Sequence, residues 1–125
     1  MQSEKPPSTI LVIDDSEDYL ILSRTLLTLE GYEVMTASNA SAALEILEKA
    51  PKPDLILLDV NLLEMTGPEF LLILEEKKPH VLETTPVVFV TAGECPRGTK
   101  ARGFIKKGLD IDDFLEEIKK YLNGS

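Results

Sequence analysis

The chain has 125 residues, with 13 lysines and arginines against 22 aspartates and glutamates, so its formal net charge is −9. This length accommodates one domain with one core, and a hydrophobic fraction of 43% excludes a disordered acidic chain. The acidic balance argues against nucleic acid as a direct partner, because binding to phosphate needs a basic face. We expect residues 1–8 to form a flexible leader, residues 9–122 a single domain and residues 123–125 a flexible C-terminus.

Five short apolar segments, most of them rich in β-branched side chains, alternate with helical patterns. They are too brief for helices and mostly lack polar alternation, which is typical of strands buried on both faces of a sheet. The predicted strands are residues 9–13, 32–37, 55–58, 86–90 and 103–105.

The segments between these strands predict helices with recognisable ends. The first helix follows residues 14–16 and is closed by Gly31. The second begins at Ser38 or Asn39 and ends before two prolines. Three further signals complete the pattern: a Thr66–Glu69 capping box that starts a third helix ending near Pro79, an Asp110 cap, and a clear amphipathic stripe over residues 111–122.

One connection breaks the alternation. Residues 92–102 contain Gly93, Pro96 and Gly98, which leave little capacity for a full helix. The fourth helix is therefore expected to be shortened or missing.

This order of elements predicts an α/β fold, a doubly wound five-stranded parallel sheet with helices on both faces. Ligands of such sheets bind at the carboxyl ends of the strands. The residues at those ends are Asp14 and Asp15 after the first strand, Asp59 after the third, Thr91 after the fourth and Lys107 after the fifth.

Three carboxylates gathered at one sheet edge repel one another. Two unit charges about 4 Å apart cost roughly 4 kcal/mol at an effective dielectric near 20. Mg²⁺ would relieve this repulsion and would accept phosphate oxygens in its remaining positions. An aspartate pair alone is as often a helix cap, but its combination with Asp59, Thr91 and Lys107 favours a site for metal and phosphoryl chemistry.

Residues 10–122 resemble a receiver domain of the two-component response-regulator family, of the chemotaxis-regulator type. The resemblance rests on the aspartate pair after ILVI, on Asp59 within LILLDVNLLEMTG, on Thr91 after VVFV and on Lys107 in GFIKKG. The family implies a flavodoxin-like strand order 2-1-3-4-5. Independently of the resemblance, the single cysteine suits a reducing cytoplasm, and the lack of a long apolar run argues against secretion and a membrane span.

The resemblance also implies a role for each residue. Asp59 would accept a phosphoryl group from a histidine kinase or a histidine phosphotransfer protein. Asp15, Asp59 and the backbone carbonyl of Asn61 would hold Mg²⁺, and Asp14 would support the metal through water. Thr91 and Lys107 would contact phosphoryl oxygens. The protein would not be an enzyme beyond supporting its own phosphorylation and dephosphorylation, and its output would lie in a downstream protein or in another domain of a longer parent chain.

Several points stay open at this stage. Phe104 is either the switch aromatic that responds to Thr91 or a simple core residue. Lys106 stands beside Lys107, and Gly108 follows where the family usually has proline. Basic residues at 97, 100, 102, 106 and 107 form either a solvated loop or a surface for an acidic partner.

Two other functions compete with the phosphoacceptor. One is a phosphorylation-independent interaction module on a receiver fold. The other is a small Mg²⁺-dependent phosphohydrolase, suggested weakly by Asp59-x-Asn61. The asparagine at the second acid position argues against the phosphohydrolase.

Overall fold

Five parallel strands form one sheet in the order β2-β1-β3-β4-β5 in a computed structural model that describes residues 7–123. Helices lie on both faces of the sheet, as predicted, and the strand order is the one that the resemblance implies. The elements in chain order are β1 (Thr9–Ile13), α1 (Glu17–Leu29), β2 (Glu33–Ala37), α2 (Ala40–Lys49), β3 (Leu55–Asp59), α3 (Gly67–Lys77), α4 (Pro79–Thr84), β4 (Val87–Thr91), β5 (Gly103–Lys106) and α5 (Ile111–Leu122).

The continuous apolar runs of the central strands are buried because both faces of the sheet are covered. Successive side chains alternate between the two faces. Leu11 and Ile13 pack on one side with residues of α2, α3 and α4, whereas Ile10 and Val12 pack on the other with residues of α1 and α5. The core is therefore two apolar layers divided by the sheet.

The predicted helix starts are confirmed by hydrogen bonds. Asn39 caps α2 by accepting from the N–H of Ala42, and Asp110 caps α5 by accepting from the N–H of Asp113. Thr66 and Glu69 form the predicted capping box at the start of α3. Each cap satisfies an N–H group that the helix itself leaves unpaired.

A short helix was not predicted. α3 ends at Lys77 and α4 begins directly at Pro79, where the sequence pattern predicts only a helix end. Proline is tolerated in the first turn of a helix because its missing N–H would have no intrahelical partner there. The prediction for this segment was therefore incomplete.

The connection between β4 and β5 agrees with its prediction. Residues 92–102, all of which the structure describes, form bends and irregular backbone and no helix. Gly98 has a φ of 72°, which favours glycine. Cys95 and Ala101 pack against the layer that contains Phe89, so the connection still covers part of the sheet.

Most of the predicted leader lies outside the described residues, as do the last two residues of the predicted C-terminal segment. Within the described range, the carbonyl of Ser8 accepts a hydrogen bond of 2.9 Å from the N–H of Glu33. No helix within residues 7–123 has the length and apolar character needed to cross a membrane.

Candidate functional site

An acidic cluster lies at the carboxyl edge of the central strands. Asp14 and Asp15 directly follow β1, and Asp59 is the last residue of β3. The pairing of Ile13 with Leu58 sets the two strand ends side by side. One carboxylate oxygen from each aspartate lies within 4.8 Å of the others. The structure thus brings the three predicted acids together.

Asp14 is the most buried member of the cluster, with 1% of its surface exposed. Its Oδ1 accepts a hydrogen bond of 2.9 Å from the N–H of Ser16. Its Oδ2 forms an ion pair of 2.8 Å with Nζ of Lys107, but it accepts no well-aligned hydrogen bond from residues 7–123. Buried carboxylate oxygens are usually fully hydrogen-bonded, so this oxygen has coordination capacity to spare.

The carboxylate of Asp59 is partly buried, with 12% of the side chain exposed. Burial and the neighbouring charges of Asp14 and Asp15 raise its pKa to about 6, against the opposing effects of Lys107 and the backbone of Asn61. The charged form of Asp59 is therefore less stable here than it would be in water. Binding of a cation would reverse this effect.

Lys107 is the residue directly after β5, and its side chain reaches the acidic cluster. Its Nζ lies 2.8 Å from Oδ2 of Asp14 and 3.8 Å from Oδ2 of Asp59. Burial alone would lower the pKa of Lys107, but the contact with Asp14 and the charge of Asp59 raise it. Lys106 is exposed. The structure therefore assigns Lys107, and not Lys106, to the site.

Thr91 lies in the strand beside Asp59, and Asn61 lies two residues after Asp59 in the chain. Thr91 ends β4 with 5% of its surface exposed, and its Oγ1 accepts a hydrogen bond of 3.0 Å from the N–H of Gly93. Its carbonyl accepts a hydrogen bond of 2.9 Å from the N–H of Lys107. Asn61 pairs with Thr66 in an isolated antiparallel bridge two residues after Asp59.

Phe104 is exposed over 45% of its surface, so its interpretation as a core residue is wrong. It pairs with Phe89 in the sheet register. Since Thr91 is two residues beyond Phe89 and side chains alternate, Thr91 and Phe104 lie on the same face of the sheet. This placement is compatible with the switch interpretation.

Gly67 explains why the LLEMTG segment needs a glycine. An added Cβ would lie 2.6 Å from the carbonyl oxygen of Asp59 and 2.8 Å from Cε1 of Phe89. The N–H of Gly67 also donates to the carbonyl of Val60. The start of α3 therefore packs directly on the strand end that presents Asp59.

Tyr19 is a site residue that sequence reasoning missed. Its place in the chain predicts only membership of the first helix, but its ring centroid lies 4.5 Å from Nζ of Lys107. An aromatic residue one turn after an aspartate pair at the start of a helix is the only available signal, and it is weak.

The donor set fits a hard divalent cation. Mg²⁺ prefers carboxylate and carbonyl oxygens, and the cluster offers three carboxylates, one of which has a buried oxygen with no well-aligned donor among residues 7–123. Cys95 is the chain's one cysteine and lies in the β4–β5 connection, so the site has no thiolate ligand. The same charges would attract a phosphoryl group only through the cation and Lys107.

A doubly wound sheet with strand order 2-1-3-4-5 and an aspartate cluster facing a lysine at its carboxyl edge defines a phosphoacceptor signalling domain. The sequence matches the family described as "Response regulator receiver domain" over residues 10–119. The chain belongs to this family and is a receiver domain of two-component signalling.

Individual relatives agree with this assignment. The chain is 34% identical over 122 residues to the polar-differentiation response regulator DivK of Brucella anthropi, covering 93% of this chain and 97% of DivK. It is 36% identical over 129 residues to sporulation initiation phosphotransferase F of Bacillus subtilis, covering 98% and 96%. The structure of response regulator TrrA from Thermotoga maritima, in complex with Mg²⁺ and BeF, superimposes with a TM-score of 0.76 at 28% identity, covering 91% and 98%.

Proposed function

We propose that Asp59 is the phosphoacceptor of this receiver domain. The observation behind this assignment is the position of its carboxylate, at the end of β3, partly exposed, and between two acids and the ammonium of Lys107. Asp14 is too buried to serve, and Asp15 directly follows it at the end of a different strand.

The proposed reaction is a single transfer. An Oδ atom of Asp59 forms a bond to phosphorus as the bond from phosphorus to the donor's histidine nitrogen breaks. The electron pair of that bond returns to this nitrogen, and the ring leaves as neutral imidazole with a proton on its other nitrogen. The signal ends by hydrolysis of the aspartyl phosphate. Water attacks phosphorus, the bond to Asp59 breaks, and phosphate, a proton and the free carboxylate result. Both reactions depend on positioning and charge neutralisation.

Mg²⁺ is the proposed cofactor. Asp14, Asp15, Asp59 and the carbonyl of Asn61 would hold it, and it would neutralise charge on the phosphoryl oxygens. The raised pKa of Asp59 supports this proposal, because such a site favours a counterion. The TrrA structure, a complex with Mg²⁺ and BeF, is similar in fold.

Lys107 and Thr91 would contact the remaining phosphoryl oxygens. Lys107 is already 3.8 Å from Asp59. Thr91 would exchange its hydrogen bond with Gly93 for one with the phosphoryl group. We propose that the chain catalyses no reaction beyond its own phosphorylation and dephosphorylation. We also propose that the protein is cytoplasmic, because its single cysteine would stay reduced there.

The test uses acetyl phosphate with Mg²⁺ and intact-mass measurement. The wild-type chain should gain one phosphoryl group, and Asp59→Asn should gain none. Asp54→Asn is the matched control, because Asp54 precedes β3 at the opposite end of the same strand. A phosphoryl group that persists in Asp59→Asn, or that forms equally well in EDTA, would contradict the assignment.

We propose that a histidine-bearing helix of the phosphodonor docks beside α1. A groove of about 300 Å³ next to Lys107 is lined by residues of α1 and of the β5–α5 connection, and exposed apolar side chains surround it. Leu22 is 53% exposed and Ile111 is 52% exposed. Because Lys107 lines both the groove and the acidic cluster, a donor seated here can reach Asp59.

Leu22→Ala should slow transfer from a histidine phosphotransfer domain that phosphorylates the wild-type chain. It should leave phosphorylation by acetyl phosphate unchanged, because a small donor needs no docking surface. Leu72→Ala on α3, where the leucine is 65% exposed, is the control. Equal transfer rates for Leu22→Ala and wild type would place the donor elsewhere.

A phosphorylation-independent interaction module is the second candidate, favoured by the missing helix between β4 and β5. Arg102, Phe104 and Lys106 are exposed along the edge strand β5. Arg102 and Lys106 have no ion pair within residues 7–123, whereas Lys100 pairs with Glu75 at 3.5 Å. This basic and aromatic strip suits an acidic protein partner in either functional model.

The two candidates differ in how Phe104 responds to the site. A switch predicts that BeF₃⁻ with Mg²⁺ draws Thr91 inward and buries Phe104, which changes its ¹⁹F resonance after p-fluorophenylalanine labelling. Phe104→Leu assigns that resonance. An unchanged resonance at saturating BeF₃⁻ would instead favour the phosphorylation-independent module.

A further inference from the structure

Lys107 is held from three sides, and only two of them are acidic. Asp14 and Asp59 contact its ammonium at 2.8 and 3.8 Å. The third side is the ring of Tyr19, whose centroid lies 4.5 Å from Nζ. A cation over the face of an aromatic ring is attracted by the ring quadrupole, most strongly where water is partly excluded.

Tyr19 is itself held in place. It is partly buried in the layer that contains Leu20 and Phe114. Burial raises the pKa of its phenol, while a hydrogen bond with Ser23 and the charge of Lys107 act in the opposite direction. Ser23 lies one turn along α1 and is buried. The helix therefore presents a fixed ring to the ammonium.

Lys107 needs such a constraint because its own backbone provides little. The hydrogen bond of 2.9 Å from its N–H to the carbonyl of Thr91 anchors the main chain. The next residue, Gly108, has a φ of 96°, which only glycine adopts readily and which glycine does not enforce. Four rotatable side-chain bonds then separate the anchored backbone from the charge.

The groove beside the site offers the ammonium of Lys107 an alternative position, away from the acidic cluster. Tyr19 lines this groove together with Leu22, Gly108 and Leu109. Lys107 is 23% exposed at present. Removal of the ring would enlarge the groove on the side where the lysine has no other partner among residues 7–123, and the ammonium would gain access to water.

We propose that Tyr19 is a positioning residue for Lys107. Its ring keeps the ammonium over the acidic cluster, where the lysine neutralises charge as the phosphoryl group is transferred to Asp59. The effect on rate rests on the proposed function, whereas the effect on the position of Lys107 does not. The aromatic face makes the contact with the ammonium. Tyr19→Phe should therefore still position Lys107, and an aliphatic substitution should not.

The first experiment measures the position of Lys107 without phosphorylation. In protein labelled with ¹³C at lysine Cε, the Lys107 resonance should be shifted upfield by the ring. Tyr19→Phe should keep this shift and Tyr19→Leu should lose it. Tyr32→Leu is the control, since Tyr32 is a half-buried tyrosine at the opposite end of the sheet. A shift retained in Tyr19→Leu would overturn the proposal.

The second experiment measures the rate of phosphorylation by acetyl phosphate at saturating Mg²⁺, which excludes any contribution of donor docking. Tyr19→Leu should be slower by about fivefold to twentyfold, the size of a partly desolvated cation–π contact. Tyr19→Phe and Tyr32→Leu should match the wild type. Wild-type rates in Tyr19→Leu, or equal losses in Tyr19→Phe and Tyr19→Leu, would overturn the proposal.

Misfolding of the variant and failure of the proposed function can each be distinguished from failure of this proposal. If Tyr19→Leu does not fold by circular dichroism, Tyr19→Met supplies a non-aromatic side chain of similar length and should show the same losses. If the wild-type chain accepts no phosphoryl group, the proposed function fails, and the lysine resonance alone decides whether Tyr19 positions Lys107.

Discussion

Asp59 is the residue at which the requirements of function oppose the stability of the fold. Its pKa is raised to about 6, chiefly by burial and by the charge of Asp14. In the unfolded chain its pKa returns to about 3.8. Between these two values the folded state binds more protons than the unfolded state, so this residue lowers the free energy of unfolding as the pH rises through that window.

We predict that Asp59→Asn stabilises the metal-free protein at pH 7.5 and has little effect at pH 4. The expected gain in the free energy of unfolding is about 1–2 kcal/mol. This is less than the free energy that corresponds to the full pKa shift, because the carboxylate is partly solvated. Urea unfolding in EDTA at both pH values measures it, with Asp54→Asn as the control. A loss of stability at pH 7.5 would show that Lys107 more than compensates the repulsion.

Gly67 is the second residue whose identity the site dictates. We predict that Gly67→Ala lowers the free energy of unfolding by about 1–3 kcal/mol, because its Cβ would meet the backbone of Asp59 and the ring of Phe89. It should also slow phosphorylation by displacing Asp59. Gly93→Ala is the control, since its nearest neighbour would be Oγ1 of Thr91 at an ordinary 3.9 Å. Equal stability of the two variants would contradict the close approach.

At the scale of elements, the start of α3 connects the capping box to the site. Thr66 accepts a hydrogen bond of 3.2 Å from the N–H of Glu69, and Glu69 accepts one of 2.9 Å from the N–H of Thr66. Asn61 pairs with Thr66 across the turn. The same residues that begin the helix therefore order the segment after Asp59.

We predict that Thr66→Ala destabilises the protein by about 1 kcal/mol, because an N–H group at the helix start loses its acceptor. Thr66→Ser should restore most of the loss, since its hydroxyl makes the same bond. Thermal unfolding measures both variants. Thr25→Ala in α1, where the hydroxyl donates only to a carbonyl one turn back, is the control; an equal loss there would indicate that general helix propensity and not the cap is responsible.

At the scale of the whole molecule, the acidic excess has a localised component. The chain has a formal charge of −9, and three of its acids meet at one edge of the sheet. A cation that binds only the folded state adds its binding free energy to stability.

We predict that 10 mM Mg²⁺ raises the melting temperature by about 3 °C or more at pH 7.5. Asp15→Asn should reduce this increase, because a proposed metal ligand is lost. Asp54→Asn should retain it, and K⁺ at matched ionic strength should not reproduce it. A melting temperature that responds equally to K⁺ and Mg²⁺ would indicate screening in place of a bound metal.

Local sequence patterns predict the alternation of strands and helices, the caps at Asn39, Thr66 and Asp110, and the acids of the site. These features are local, since burial periodicity and capping depend on neighbouring residues. The convergence of Asp14 and Asp59 also followed from sequence, because parallel strands share one carboxyl edge.

Three features could be established only from the packing of the chain: Lys107 and not Lys106 enters the cluster, Tyr19 lies against Lys107, and Phe104 is exposed. Each of these outcomes depends on how α1, β4 and β5 pack across the sheet. Two adjacent lysines have the same local chemistry, and the strand register alone distinguishes them by facing one toward solvent and the next toward the acids.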